Sequence, residues 1–333
     1  MTSQTCQDAR EKAGTLKGSN HGDGYGTTTI LRHVQFDAHN KETHSTDETQ
    51  NYDALIGWDD LLPWQRDNEF ILTSHRRATF SYLHSLKSVF QVHNETVNIW
   101  SHILGTVTFF LVAVIFYLSA RRGRLDRYSR SGDDEAVHVY FVSVIVCFFL
   151  SFLHHIFLDH SESVRTWTGR FDYLGIVIPL YGTTIASTHF TFNYEPVLQE
   201  AYSIFATVVG LACAVATLHP SFSGPQSRHL RTALYLLLGA SSFLPIAHGI
   251  HLYGVEDMNS RMSLGYYLGL GVCHGTGAML YAARVPERWY PRRCDVVGSS
   301  HQLMHVLVVG GAALYGLGVQ MARKYWETRE CGA

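Results

Sequence analysis

Residues 137–158 read VHVYFVSVIVCFFLSFLHHIFL, a stretch without one Asp, Glu, Lys or Arg that closes on two adjacent histidines. A run of about 20 apolar residues in helical form matches the hydrocarbon thickness of a bilayer, so this stretch reads as a membrane-spanning helix. Working outward, six further windows have the same length and freedom from charge: 99–120 before it, then 173–192, 201–218, 232–252, 262–283 and 302–322. The charges collect between them, as in Arg121-Arg122-Gly123-Arg124, Asp133-Asp134-Glu135 and Pro291-Arg292-Arg293, where a membrane interface would place them. Pro179, Pro245 and Gly310-Gly311 are compatible with such helices, which re-satisfy freed backbone groups through their neighbours. The expected fold is an all-α membrane protein, a seven-helix transmembrane bundle over residues 81–333.

Residues 1–80 differ in kind. They are rich in Thr, Gly, Asn, Asp and His, and they lack the basic start and short apolar core of a secretory signal. They are expected to form a polar, largely disordered arm. The net charge of −2 among 333 residues gives no basic field, and no Arg-rich module with interleaved aromatics is present, which argues against nucleic acid as a partner. Cys6, Cys147, Cys213, Cys273, Cys294 and Cys331 are scattered singly, without a spacing that suggests a disulfide framework or a thiolate metal site. Counting Lys and Arg near the spans gives eleven on the N-terminal side and nine opposite, a slight lean toward a cytoplasmic N-terminus.

A metal-ligating or ionisable group within a span is expensive, so each one points to function by default. The parity of seven spans shows which of them can meet. The start of the first span, the end of the second and the starts of the third and seventh lie on one side. That side gathers His155, Asp172, His301 and His305, with Glu95, Asn98 and His102 leading into the first span at the same level. His301 and His305 are four apart, which puts both imidazoles on one helix face. His155 would make three neutral nitrogen ligands, the set of a catalytic zinc that leaves its fourth position to water.

Ser151, four before His155, shares its face and could hydrogen-bond a ligand, a water or Asp172. Asp172 reads either as the carboxylate that orients the water and accepts its proton, or as the N-cap of the third helix. Glu95, Asn98 and His102, spaced by three and four, read as a structural interhelical network or as support for the ligands. His154 points about 100 degrees away from His155 and reads as packing. So do His189, His248, His251 and His274, of which the first three fall toward the opposite face.

At these residues the chain resembles the progestin and adipoQ receptor family, also called the adiponectin-receptor or haemolysin-III-like family, and particularly its fungal branch. The resemblance runs from about His93 to Arg323. It rests on HNETVNIWSH from His93 to His102, Ser151 to His155, His160-Ser161-Glu162, FDYLGI from Phe171 to Ile176, RVPER from Arg284 to Arg288, and SHQLMHVL from Ser300 to Leu307. It implies a seven-helix bundle with a cytoplasmic N-terminus and zinc near that face. His155, His301 and His305 fall on the family's ligand positions, and Ser151 and Asp172 approach the metal through water. Family members similar to alkaline ceramidases imply a ceramide-like amide substrate, with hydrolysis coupled to a receptor role in lipid and zinc homeostasis. An extracellular protein or a small molecule would then be a further ligand, and the residence a plasma membrane or an endomembrane.

The competing class is a receptor or sensor whose zinc is structural. A metal transporter would spread its ligands through the membrane depth instead of collecting them at one face. A retinal protein is excluded, because no lysine lies between Lys87 and Lys324 to form a Schiff base. An ordinary G-protein-coupled receptor would end its third span in Asp-Arg-Tyr and carry Asn-Pro-x-x-Tyr in its seventh, and this chain has neither.

Overall fold

The computed structural model describes residues 53–126, 131–222 and 225–330. Among them α-helices dominate, and no strand forms beyond an isolated bridge between Ile56 and His75. A short α1 (Tyr82–Lys87) precedes α2 (Thr96–Asp126), α3 (Ser131–Phe157), α4 (Glu162–Thr191) and α5 (Pro196–Leu218). Next come α6 (Arg228–Ser241), α7 (Phe243–Met262), α8 (Leu264–Ala283) and α9 (Ser300–Glu330). The chain passes directly from α6 to α7, and the pair carries the fifth uncharged window. It bends at Gly254, whose φ of 78° lies in the left-handed region open to glycine.

The α2, α3, α5, α6–α7 and α9 segments are each long and apolar enough to cross a bilayer. The third and sixth uncharged windows fall on α4 and α8, where Gly, Thr, Tyr and His dilute the hydropathy. In α4 that composition has a packing reason. Small residues let helix backbones approach closely, and α4 buries Gly169, Gly175, Gly182, Ala186 and Ser187 against its neighbours. A Cβ on Gly182 would fall 2.2 Å from the Ser143 hydroxyl of α3.

Apolar side chains also face outward in helical register: Val107, Phe110, Leu111 and Ile115 on α2, and Ile204, Val208, Leu211 and Val215 on α5. In water such faces would be a liability, whereas in lipid they are the solvent-matched surface. The protein is an integral, multi-pass membrane protein. Its core, built on Tyr140, Phe141, Tyr267, Tyr315 and Trp326, ties α3, α8 and α9 together.

Residues 1–52 of the expected arm lie outside the described residues, but 53–80 depart from the disordered reading. This stretch folds into two 3-10 turns, Trp58–Asp60 and Pro63–Gln65, and buries Ile56, Leu61 and Ile71. Its polar side chains fasten it at several points. Asp67 pairs with Arg228 of α6 at 2.7 Å, Glu69 pairs with Arg284, and Asn68 donates to Glu287 at 2.9 Å. The backbone N–H groups of Leu72 and Thr73 both donate to Asp295, at 3.0 and 2.8 Å. A polar composition thus conceals a strap held by side-chain anchors instead of a core of its own.

Candidate metal centre

Two helix ends carry the centre. His155 lies in the last turn of α3, and His301 and His305 occupy the first two turns of α9. The ring centroids stand 5.0 Å (His155–His301), 4.8 Å (His155–His305) and 4.8 Å (His301–His305) apart. One nitrogen from each ring lies within 4.8 Å of the others, a cluster that could hold a metal ion. The parity argument and the spacing of four therefore bring together the three histidines they single out.

The remaining nitrogens decide whether the cluster suits a metal. His155 Nδ1 bonds Glu95 Oε2 at 2.7 Å, and the same carboxylate oxygen accepts from Asn98 Nδ2 at 2.7 Å. Burial works against charge on Glu95, but the hydrogen bonds it accepts from His155 and Asn98 favour the charged form, and its carboxyl is held well below the usual carboxylate range. An ionised Glu95 only accepts, so His155 Nδ1 carries the proton and the lone pair of Nε2 faces the cluster. Nε2 is buried and meets no hydrogen-bonding atom of the described residues. His305 is tethered to the backbone of Asn98, and its Nδ1 is likewise buried and unbonded. Metal-bound histidines commonly show this division, one nitrogen held by a carboxylate or carbonyl and the other left for the ion. The residues present fit a tri-histidine metal site.

Asp172 and Ser151 stand beside the cluster, with the Ser151 hydroxyl directed at the Asp172 carboxyl. The N-cap reading of Asp172 does not hold. Helix α4 begins at Glu162 with Ser161 as its cap, so Asp172 is an interior residue facing inward. His102 stacks on His305 with centroids 3.9 Å apart and planes 19° apart. His154 turns away and pairs with Thr168 Oγ1 at 2.9 Å.

Several supporting groups carry no helical period in the sequence and are visible only in three dimensions. Arg76 of the strap donates to the carbonyls of His155 and Ile156 at 2.6 and 3.1 Å, capping the end of α3 that presents the ligand. Glu287 receives the Ser300 backbone N–H at 2.7 Å and caps α9 just before His301. Gln302 donates to the carbonyls of Asn94 and Val296, each at 2.9 Å, joining the starts of α9 and α2. That bond explains why a glutamine follows His301 where a zinc-protease helix has glutamate. Among these supports, the motifs RVPER around Glu287 and SHQLMHVL around Gln302 are the sequence signals.

Two cavities meet at the cluster. A polar one of about 360 Å³ opens beneath the strap, between Asp67, Arg76, Glu95 and Asp159. An apolar one of about 460 Å³ runs among α4, α6, α8 and α9, past Ile176, Leu180, Phe243 and Leu270. Asp172, Tyr173, Tyr281 and His301 line both. The arrangement suits an amphiphile with its polar–apolar junction beside the imidazoles.

Comparison with known proteins extends over most of the chain. A family model of haemolysin-III-related proteins matches residues 90–315. An adiponectin receptor protein of Drosophila melanogaster is 33% identical over 267 residues, covering 80% of this chain and 59% of its own length. The chain thus spans under two thirds of that relative. The ADIPOR-like receptor IZH2 of Saccharomyces cerevisiae is 31% identical, covering 77% of this chain and 80% of its own. Heptahelical transmembrane protein 3 of Arabidopsis thaliana is 30% identical, with shares of 80% and 86%.

Proposed function

Because the chain belongs to the haemolysin-III-related family, we propose that it is a seven-span, zinc-containing receptor of the adiponectin-receptor type that hydrolyses a ceramide-like lipid amide. In this reading its N-terminus is cytoplasmic and its role lies in lipid and zinc homeostasis; the names of relatives as receptors support the receptor part. One observation carries the reading: three clustered imidazoles, two of them with a buried, unbonded nitrogen, stand where a polar and an apolar cavity meet, beside a carboxylate.

His155, His301 and His305 would hold the zinc, with Glu95 fixing the tautomer of His155. When bound, zinc polarises a carbonyl and lowers the pKa of a water to about 7. The apolar cavity takes the acyl chain and the polar one the headgroup, so the amide lies at the cluster. Hydrolysis breaks the C–N bond, adds the oxygen of water to the acyl carbon and delivers a proton to the amine. In this reading Asp172 takes the proton from the attacking water and passes it to the amine, and Ser151 holds its carboxyl in position.

The test is ceramide hydrolysis by purified protein in lipid nanodiscs, comparing wild type with Asp172→Ala at equal measured zinc. Release of sphingoid base by wild type alone supports the hydrolase. Zinc in both proteins without turnover in either would leave a receptor with a structural metal.

A further inference from the structure

We propose that His102 is a specificity-determining residue of this lipid site, gripping a hydroxyl that the ligand carries close to its reacting amide. The inference rests on the lipid-amide reading above and concerns which amides the site prefers. His102 lies in α2, is 4% exposed, and is clamped between His305 at 3.9 Å and Phe148 at 4.7 Å between ring centroids. Both of its ring nitrogens are buried, and neither meets a hydrogen-bonding atom of the described residues. Such groups are rare in folded proteins, because burial without a partner forfeits the bond to water.

Other histidines show how the fold normally treats this side chain. His154 pairs with Thr168, His189 with Asp133 and Gln199, His248 with Tyr202, and His274 with the Val308 carbonyl. His102 is also outside the metal-holding trio. Its ring lines the apolar cavity together with Ser151, Asp172 and His305. A neutral imidazole presents one N–H donor and one lone-pair acceptor, so a hydrocarbon chain satisfies neither. A hydroxyl or a secondary amide offers both functions. Stacked on a ligand histidine, the ring can reach only groups a few bonds from the carbonyl at the cluster. In the amide of an amino alcohol, those groups are the amide N–H and the nearest hydroxyl.

The experiment is equilibrium binding to the zinc-loaded full chain in nanodiscs, with the wild-type and variant His102 side chains each compared in an Asp172→Ala background so that the lipid is bound and not consumed. Two lipids are compared, ceramide and the analogue lacking the secondary hydroxyl beside the amide-bearing carbon. Wild type should prefer the hydroxylated lipid by about tenfold, the scale of one hydrogen bond to a buried group. His102→Phe keeps an aromatic ring against His305 and should retain zinc, yet lose that preference. His102→Gln, which restores a donor and an acceptor, should recover part of it. Preference unchanged in His102→Phe would mean that the ring only packs, or bonds a buried water, and would overturn the proposal. Loss of zinc in His102→Phe would overturn it as well, placing the residue with the metal. Equal binding of both lipids to an active wild type sinks the role of His102 and leaves the hydrolase intact. If neither lipid binds the wild type, the lipid-amide reading falls too.

Discussion

At each end of helix α3 a carboxylate meets a histidine, and the two ends use the pair in opposite ways. Asp133 and His155 are 22 residues apart, about 33 Å at 1.5 Å per residue, roughly the depth of a bilayer. At the Asp133 end both ring nitrogens of the histidine that meets the carboxylate are occupied: His189 Nε2 bonds Asp133 at 2.6 Å, and its Nδ1 takes a bond from Gln199 at 2.7 Å. Asn193 also donates to Asp133, at 3.1 Å, and Arg323 pairs with Asp134 at 2.6 Å. At the His155 end the carboxylate satisfies one nitrogen only, and His155 Nε2, His305 Nδ1 and both nitrogens of His102 stay unbonded. A saturated network ties helices together, whereas an unsatisfied one at the meeting of two cavities has chemistry left to do.

The largest test of this contrast removes histidines from each end. His301→Ala combined with His305→Ala should abolish stoichiometric zinc, measured by elemental analysis of purified protein, and with it all hydrolysis. His189→Ala should leave zinc content at the wild-type level. Retained zinc in the double variant would mean that the metal sits elsewhere.

Asp133→Ala reverses the pattern. It strands the partly buried His189 N–H, at a cost of roughly 1–3 kcal/mol for one unsatisfied donor. A lower thermal midpoint in nanodiscs with unaltered zinc is the expected result. Zinc loss in the still-folded variant would show that the two ends are coupled and not separate.

Glu95→Gln sharpens the comparison further, because it keeps the shape and removes the charge that fixes the His155 tautomer. Substitutions of such supporting groups typically lower metal affinity about 10- to 100-fold. Competition with a chelator of known affinity reads this directly. Unchanged affinity would mean that Glu95 serves only to join α2 to α3.

The comparison also shows what charge-free windows can and cannot reveal. They mark hydrocarbon, not helix ends. The third window opens at 173, yet α4 begins at Glu162, because a helix continues into the interface where charged residues are welcome. That overhang made Asp172 look like a cap when it is interior. His301 and His305 were legible because helical periodicity makes a spacing of four a spatial fact, and parity added His155. Arg76 and Asp67 were not, since each lies in an irregular stretch whose partner is set by tertiary folding alone. The polar composition of 53–80 misled for the same reason. Its order comes from bonds to Asp295, Glu287 and Arg228 and not from an apolar pattern.

The smallest effect concerns that strap. Arg228 lies over the Tyr281 ring at 4.5 Å, and Tyr281 meets His301 edge-on at 5.1 Å, so Asp67 reaches the centre through two side chains. Arg228 is 2% exposed but Asp67 is 34% exposed, and solvent screening limits the pair to about 1 kcal/mol. Asp67→Asn should therefore keep zinc and fold, while residues 57–73 become a few-fold easier to cleave in limited proteolysis. Burial opposes the charge on Asp67, but Arg228, Arg165 and His301 together lower its pKa below the ordinary value. A carboxyl with a depressed pKa contributes its stabilisation above its unfolded value, about 4, and loses it as pH falls through the lower folded value. The difference in protection between wild type and Asp67→Asn should accordingly be constant from pH 8 to 5 and close only below about 4. Closure near pH 6 would assign the strap's hold to a histidine instead.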